Sequence, residues 1–470
     1  MRIAYAIGFI ISSYLYYKYN QKRTQYILRI ISSNLKLSKF LLNEKILEDY
    51  SPTFFGLFSG HAHTFLLQLY KIFFEYLNKL FHYYKFKFHR EIFTLSDGGI
   101  VAVDHCLTEN SKSLKKILLV LPGYSSSSSD HYISGFLDDF VDEFDCRVMN
   151  HRGWGGIDLK SAIPCSTYEV MDIKEYVNEL SKEGKKIYIV GFSFGGMLLT
   201  RYLGKNPDDI PKNVVACSGI CYPTHLVACQ KHCESQLDGL YSRLIAYDLK
   251  DYLLRNYETI YEEAVKKGII VSPITILEID YENPISVSDC SGNNNLQKIG
   301  TEKTIEITIS KEQLFEEIQK VKMVSDFDNV WTYKILGFNS LQDYLNDSDL
   351  EKYLHNIKIP YFSVFTEDDP VIPCKDIPVN AYEQNKNLTT IITKTGGHLG
   401  FYSGIIPQMW ICGPIKSFLK SIELFKFDVD KDETLFQSNK SIITVNKNSG
   451  SFQLQRKCFG STDHLSENKI

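Results

Sequence analysis

The chain has 470 residues, 44% of them hydrophobic and 13% aromatic, with a formal net charge of −4. That length excludes a minimal domain and suits one large α/β domain with insertions, or two domains, around a substantial core. The weak charge carries no mark of a nucleic-acid binder.

Ile3 to Tyr17 reads IAYAIGFIISSYLYY, fifteen residues without a charge, preceded by Arg2 and followed by Lys18, Lys22 and Arg23. A helix of that length spans roughly 22 Å, short of the ~30 Å hydrocarbon core. Tyr14, Tyr16 and Tyr17 suit the interface, where amphipathic rings are comfortable. The stretch reads as an uncleaved membrane anchor or monotopic insertion over residues 1–30, a single N-terminal attachment to a membrane. An endomembrane such as the endoplasmic reticulum is one candidate. No small-x-small site follows it, which disfavours a cleaved signal peptide; a buried helix is the other alternative. Residues 31–89 are helix-prone and aromatic. Lys71, Glu75 and Lys79 recur at i, i+4 and i+8 there, one charged face of a second helix suited to a membrane surface.

Residues 90–221 alternate strand and helix. Arg90–Cys106 reads as a hairpin around Asp97-Gly98-Gly99. Lys115–Tyr124 (KKILLVLPGY) is a buried strand, 130–144 a helix, and Cys146–Gly156 a strand entering a Gly-rich loop. Tyr168–Glu183 is an amphipathic helix, and Asn213–Ile220 another strand. Such βαβα alternation indicates a mostly parallel sheet with helices on both faces. Residues 222–355 read as a helical cap insertion with a disordered loop near 289–304. The sheet resumes over 356–427, with strands at Ile357–Phe365 and Leu388–Lys394, and 428–470 reads as a disordered polar tail.

GFSFG, Gly191–Gly195, fits G-x-S-x-G, which a chain of this length meets by chance about 0.15 times. The strand Ile187–Val190 precedes it and the helix-like Met197-Leu198-Leu199 follows. That context makes a strained strand–turn–helix with Ser193 at its apex, lifted from the carboxyl edge of the sheet. A serine hydroxyl needs a base, and the base needs an orienting acid. His398 lies in the Gly-rich loop KTGGHLGF after one strand, and TEDDPVIP follows another. Asp369 is the chosen acid, with Asp368 and Glu367 as alternatives. Two backbone N–H donors are expected for an oxyanion, from Phe194 and Tyr124. The run Ser125–Ser129 is either a flexible loop or a source of substrate hydrogen bonds. The eleven cysteines read as reduced structural thiols without zinc spacing, so no metal and no organic cofactor is expected.

Several stretches together resemble the AB hydrolase 4 family of α/β-hydrolases: LSDGG (Leu95–Gly99), NHRGWGG (Asn150–Gly156), GFSFGGMLLTRYLG (Gly191–Gly204), DFDNVWTYKILGFNSLQDYL (Asp326–Leu345), EDDPVIPCKDIP and GGHLGF. The resemblance runs from Leu95 to Leu424, excluding about Lys266–Ile307. It implies an α/β-hydrolase fold and a triad of Ser193, Asp369 and His398. The family includes membrane-anchored phospholipases, medium-chain esterases and bacterial esterases. This chain departs from it at the oxyanion loop, with Pro122-Gly123-Tyr124-Ser125 where the family has His-Gly and further glycines. His151 and Arg152 match a family motif and read as a structural brace beside the serine.

The expected activity is hydrolysis of carboxylic esters of lipids through an acyl-enzyme on Ser193. The partners are a lipid or medium-chain ester and a membrane surface, with no nucleic acid. Acyl transfer to an alcohol through the same intermediate, and a catalytically silent membrane-anchored scaffold, are the rival readings. The sequence leaves acyl length, head group and oligomeric state open.

Overall fold

A computed structural model of the chain describes residues 84–266 and 311–425, short interruptions aside. It also describes residue 14, residues 28–34, parts of 37–69, and the strands Ile442–Val445 and Gln453–Gln455. The strands in chain order are β1 (Leu28–Ser32), β2 (Lys87–Thr94), β3 (Ile100–Leu107), β4 (Lys116–Leu121), β5 (Asp145–Met149), β6 (Lys186–Phe192) and β7 (Val214–Ile220). They continue as β8 (Tyr361–Thr366), β9 (Leu388–Thr393), the short pair β10 (Tyr402–Ser403) and β11 (Gln408–Met409), then β12 (Ile442–Val445) and β13 (Gln453–Gln455).

Eleven of these form one sheet, in the order β13-β12-β1-β9-β8-β7-β6-β4-β5-β3-β2. The six strands from β5 to β9 in that order run parallel, with antiparallel strands at both sides. Continuous apolar runs such as Ile117–Leu121 and Ile187–Val190 make the centre, as strands buried on both faces must. Their side chains alternate between two layers. Leu118, Val120, Tyr188 and Val190 face Phe136 of α1 (His131–Asp138) and Phe418 of α10 (Cys412–Phe425). Ile117, Leu119, Ile187 and Ile189 face Ile173 and Tyr176 of α2 (Met171–Ser181), Leu199 of α3 (Phe194–Lys205) and Tyr382 of α9 (Val379–Gln384). The β2–β3 hairpin turns at Gly98, whose φ is 85°.

The cap holds α4 (Leu226–Ser235), α5 (Leu240–Arg255), α6 (Tyr257–Lys266), α7 (Lys311–Lys320) and α8 (Leu341–Asp347). It has a core of its own around Leu253, Ile260, Ile318 and Trp331. The disordered loop expected near 289–304 lies outside the described residues.

Two expectations need correction. Leu28–Ser32 straddles the expected anchor and helical extension, yet it is a strand, with Ile30 opposite Ile391 of β9. The tail expected to be disordered contributes β12 and β13, paired outward from β1. In both cases an open sheet edge recruits a short β-branched run, and this overrides local composition. The charge-free stretch 3–17, Tyr14 aside, and the charged helix of Lys71, Glu75 and Lys79 lie outside the described residues. Among the described residues no helix is long and apolar enough to cross a membrane.

Phe136 is fully buried, its ring 4.6 Å from Phe140 and 5.2 Å from Phe192, the residue before Ser193. Phe136→Ala should therefore cost about 3–5 kcal/mol of unfolding free energy in a urea titration.

Candidate active site

Ser193 stands between β6 and α3 with φ 48° and ψ −114°, a backbone conformation that L-residues avoid. The close packing of strand and helix explains the glycines around it. A Cβ on Gly191 would lie 2.5 Å from the Gly195 carbonyl oxygen, and one on Gly195 would lie 2.3 Å from that of Leu121. The Ser193 N–H donates to Ile220 O at 2.8 Å, tying the turn to the end of β7.

Asp369 follows β8 and His398 follows β9. His398 Nδ1–H donates to Asp369 Oδ2 at 2.9 Å, and its Nε2 lies 2.9 Å from Ser193 Oγ. Because the buried carboxylate accepts the hydrogen bond from Nδ1–H and so fixes that tautomer, Nε2 of the neutral ring is left to accept the serine proton. Asp369 Oδ1 also accepts from the N–H groups of Val371 at 2.7 Å and Ile372 at 2.9 Å. Asp368 points elsewhere. Its Oδ1 accepts from Thr366 Oγ1 at 2.6 Å and the Gly397 N–H at 2.9 Å, and its Oδ2 from Thr395 Oγ1 at 2.6 Å. Of the two adjacent aspartates, one touches the imidazole and the other laces the loop that carries it. Glu367 instead pairs with Arg29 of β1.

The loop after β4 lies against the start of α3, where the Tyr124 ring meets Phe194 edge-on at 5.4 Å. As the first residue of its helix, Phe194 has an N–H without an intrahelical acceptor. His151 Nε2–H donates to Pro122 O at 2.9 Å, and burial lowers the pKa of this ring. The buried Arg152 guanidinium pairs with Asp172, and with Asp97 at 2.9 Å. His151 thus holds the loop after β4 that lies beside Ser193, whereas Arg152 ties the β2–β3 turn to α2. The serine run is an ordered turn: Ser126 Oγ donates to Asp130 at 2.5 Å and Ser128 Oγ to Asp104 at 2.5 Å.

Above Ser193 a cavity of about 1060 Å³ of empty space, mouth included, runs between the sheet and the cap. Its walls are mostly apolar, with Met197, Leu226, Leu249 and Phe327 among them. Cap and core meet there through specific bonds: Tyr252 of α5 donates to Arg152 O at 3.1 Å, and Thr167 and Tyr344 hydroxyls lie 2.7 Å apart. One wall carries a carboxyl that the motif reading left without a role. Asp328 is buried, and burial pushes its pKa up to about 7, although Thr332 and the Gln230 amide hydrogen-bond to it. Asp328 and Gln230 escaped sequence reasoning because their partnership joins elements far apart in the chain. The stretch Asp326–Leu345 is the only sequence signal for Asp328, and none marks Gln230.

A strained serine at a strand–helix turn on a parallel sheet, with acid and histidine supplied by later strand ends, defines the α/β-hydrolase class. A family model described as alpha/beta hydrolase fold matches residues 116–263. The chain has the α/β-hydrolase fold. Mouse phospholipase ABHD3 is 25% identical over 333 residues, covering 68% of each chain. Mouse monoacylglycerol lipase ABHD2 is 26% identical over 344 residues, covering 69% of this chain and 70% of that one. Among solved structures, the Pyrococcus furiosus esterase Pf2001 is 15% identical and covers 72% of this chain and 90% of its own, with a TM-score of 0.40.

The raised Asp328 pKa has a definite sign in stability. Between about pH 4 and pH 7 the folded chain keeps a proton that the unfolded chain releases, so stability falls as pH rises through that window. The melting temperature of the native chain should therefore decline between pH 5 and pH 8 relative to Asp328→Asn, which lacks this ionisation. Parallel curves in a thermal-shift series would mean that the carboxyl ionises in its ordinary range.

Proposed function

We propose that this chain is a serine hydrolase that cleaves carboxylic esters of lipids through an acyl-enzyme on Ser193. The observation that carries the reading is the connected line from Ser193 Oγ through His398 to Asp369, with both contacts at 2.9 Å. Ser193 Oγ attacks the ester carbonyl carbon while His398 Nε2 takes its proton. Asp369 holds the ring and stabilises the imidazolium. The Phe194 and Tyr124 N–H groups receive the oxyanion, each such donor being typically worth about 10²–10³ in rate. His398 then protonates the departing alcohol. Water, activated by the same imidazole, releases the acid and restores Ser193.

Two things support a lipid ester. The cavity beside Ser193 has mostly apolar walls, as sites for apolar ligands do. The two curated relatives bear the names of a phospholipase and a monoacylglycerol lipase. The charge-free stretch 3–17 would hold the body at a lipid surface, so that the ester reaches the cavity without crossing much water.

With a panel of esters of graded acyl length, Ser193→Ala should lose at least about 10⁴-fold in kcat and all labelling by a fluorophosphonate. Asp369→Asn should lose about 10⁴-fold because the wrong tautomer is favoured. Asp368→Asn, which only loosens the loop, should lose far less. Full labelling of Ser193→Ala would remove Ser193 as the nucleophile. Co-flotation with phosphatidylcholine vesicles tests the anchor. Ile7→Lys combined with Ile11→Lys should abolish it, and retention would move membrane contact elsewhere.

A further inference from the structure

The residues that precede the matched core also touch the catalytic loop. Residues 60–67 are helical, and they lie directly on the loop that carries His398. The His398 backbone N–H donates to Thr64 Oγ1 at 2.8 Å. The Thr64 hydroxyl in turn donates to Gly60 O at 2.8 Å, which sets its rotamer and aims a lone pair at the loop. Backbones here meet at glycine distance. A Cβ on Gly60 would sit 1.7 Å from Asp368 O, and one on Gly397 would sit 2.2 Å from Gly60 O. His63 is fully buried beneath the same loop, and burial lowers its pKa, which favours the neutral ring. The other side of this helix holds the cap: His61 Nδ1 lies 2.8 Å from the Tyr241 hydroxyl of α5, and the Phe65 ring stacks on Tyr241 at 5.9 Å.

We propose that residues 60–67 form a positioning strut, with Thr64 as the residue that sets His398 over Ser193 and registers it to the cap. The inference rests on the triad reading above. Ser193 needs no such strut, because its turn is clamped between β6 and α3. His398 has a different support. It sits past the end of β9 in a loop where the next residue, Leu399, has φ 67°. Such a backbone persists only when its surroundings over-determine it. The Asp368 carboxylate holds Gly397, and the Thr64 hydroxyl holds His398 itself. An imidazole displaced by about 1 Å costs on the order of 10²-fold in rate, so a contact outside the triad controls turnover.

The test is steady-state kinetics of the full chain on a medium-chain p-nitrophenyl ester. Thr64→Val keeps the shape of the side chain and deletes the acceptor. Its kcat should fall about 10-fold with KM within about twofold, and Thr64→Ser should restore kcat to within about twofold of the native value. With kcat expressed per active site, counted by end-point fluorophosphonate labelling, a role in folding alone would leave kcat unchanged. Native kcat in Thr64→Val, or Thr64→Ser as impaired as Thr64→Val, overturns the strut. In that outcome an inactive Ser193→Ala leaves the triad reading standing. Turnover retained by Ser193→Ala takes down the triad reading and the strut with it. Hydrogen–deuterium exchange of the native chain needs no variant: peptides covering 60–67 and 395–401 should gain and lose protection together. A catalytic loop that stays protected while 60–67 exchanges freely also overturns the proposal.

Discussion

The arrangement depends on a single strained residue. Ser193 holds φ 48° and ψ −114°, a state that costs about 1–3 kcal/mol and persists only under constraint. The constraint comes from both sides. Ser193 N–H is bound to Ile220 O at 2.8 Å, and Met197 N–H returns to Ser193 O at 3.0 Å. Phe192, one residue earlier, is locked by aromatic contacts to Phe136 and Tyr132 at 5.2 and 5.4 Å. The turn is thus maintained by two buried layers and one central strand.

Geometry then assigns different work to adjacent residues. Asp369 and Asp368 are neighbours in sequence, but successive carboxylates leaving a strand point in different directions. One is buried against the imidazole and receives two backbone N–H groups, which hold it without a cation. The other ties Thr366, Thr395 and Gly397 together. Loop and acid are therefore organised from the same strand end, and the imidazole meets a partner whose own orientation is already set.

Much of this was legible in the sequence, for physical reasons. The parallel centre was visible because strands buried on both faces must be continuously apolar, as Ile117–Leu121 and Ile187–Val190 are. The turn at Ser193 was visible because only glycine tolerates a 2.3 Å approach of backbone to a would-be Cβ. The choice between Asp368 and Asp369 rested on position alone, and in the structure Asp369 is the one in contact with the ring. Elements whose partners are distant were not legible. Leu28–Ser32 becomes a strand only because β9 offers it an edge, and β12 follows only because β1 is there. Asp328 looked like one acid among many until Gln230 and Thr332 enclosed it. Thr64 sat in an aromatic segment read simply as helical.

The cap differs from the sheet in a way that bears on what the cavity accepts. It has its own core, and it meets the rest through polar contacts such as Tyr252 to Arg152 O, Thr167 to Tyr344 and Arg201 to Asp347, and through packing such as Trp154 stacked on Tyr252 and Leu354 set into the sheet-side core. Polar contacts of this kind contribute about 1 kcal/mol each, far less than the packing inside either part. The reacting end of the cavity is built from strand ends, and its cap-side wall, with Leu249, Phe327 and Asp328, belongs to a part with a core of its own. Changes of acyl preference should accumulate in that wall. The line from Ser193 to Asp369, built into strand ends, has no comparable freedom.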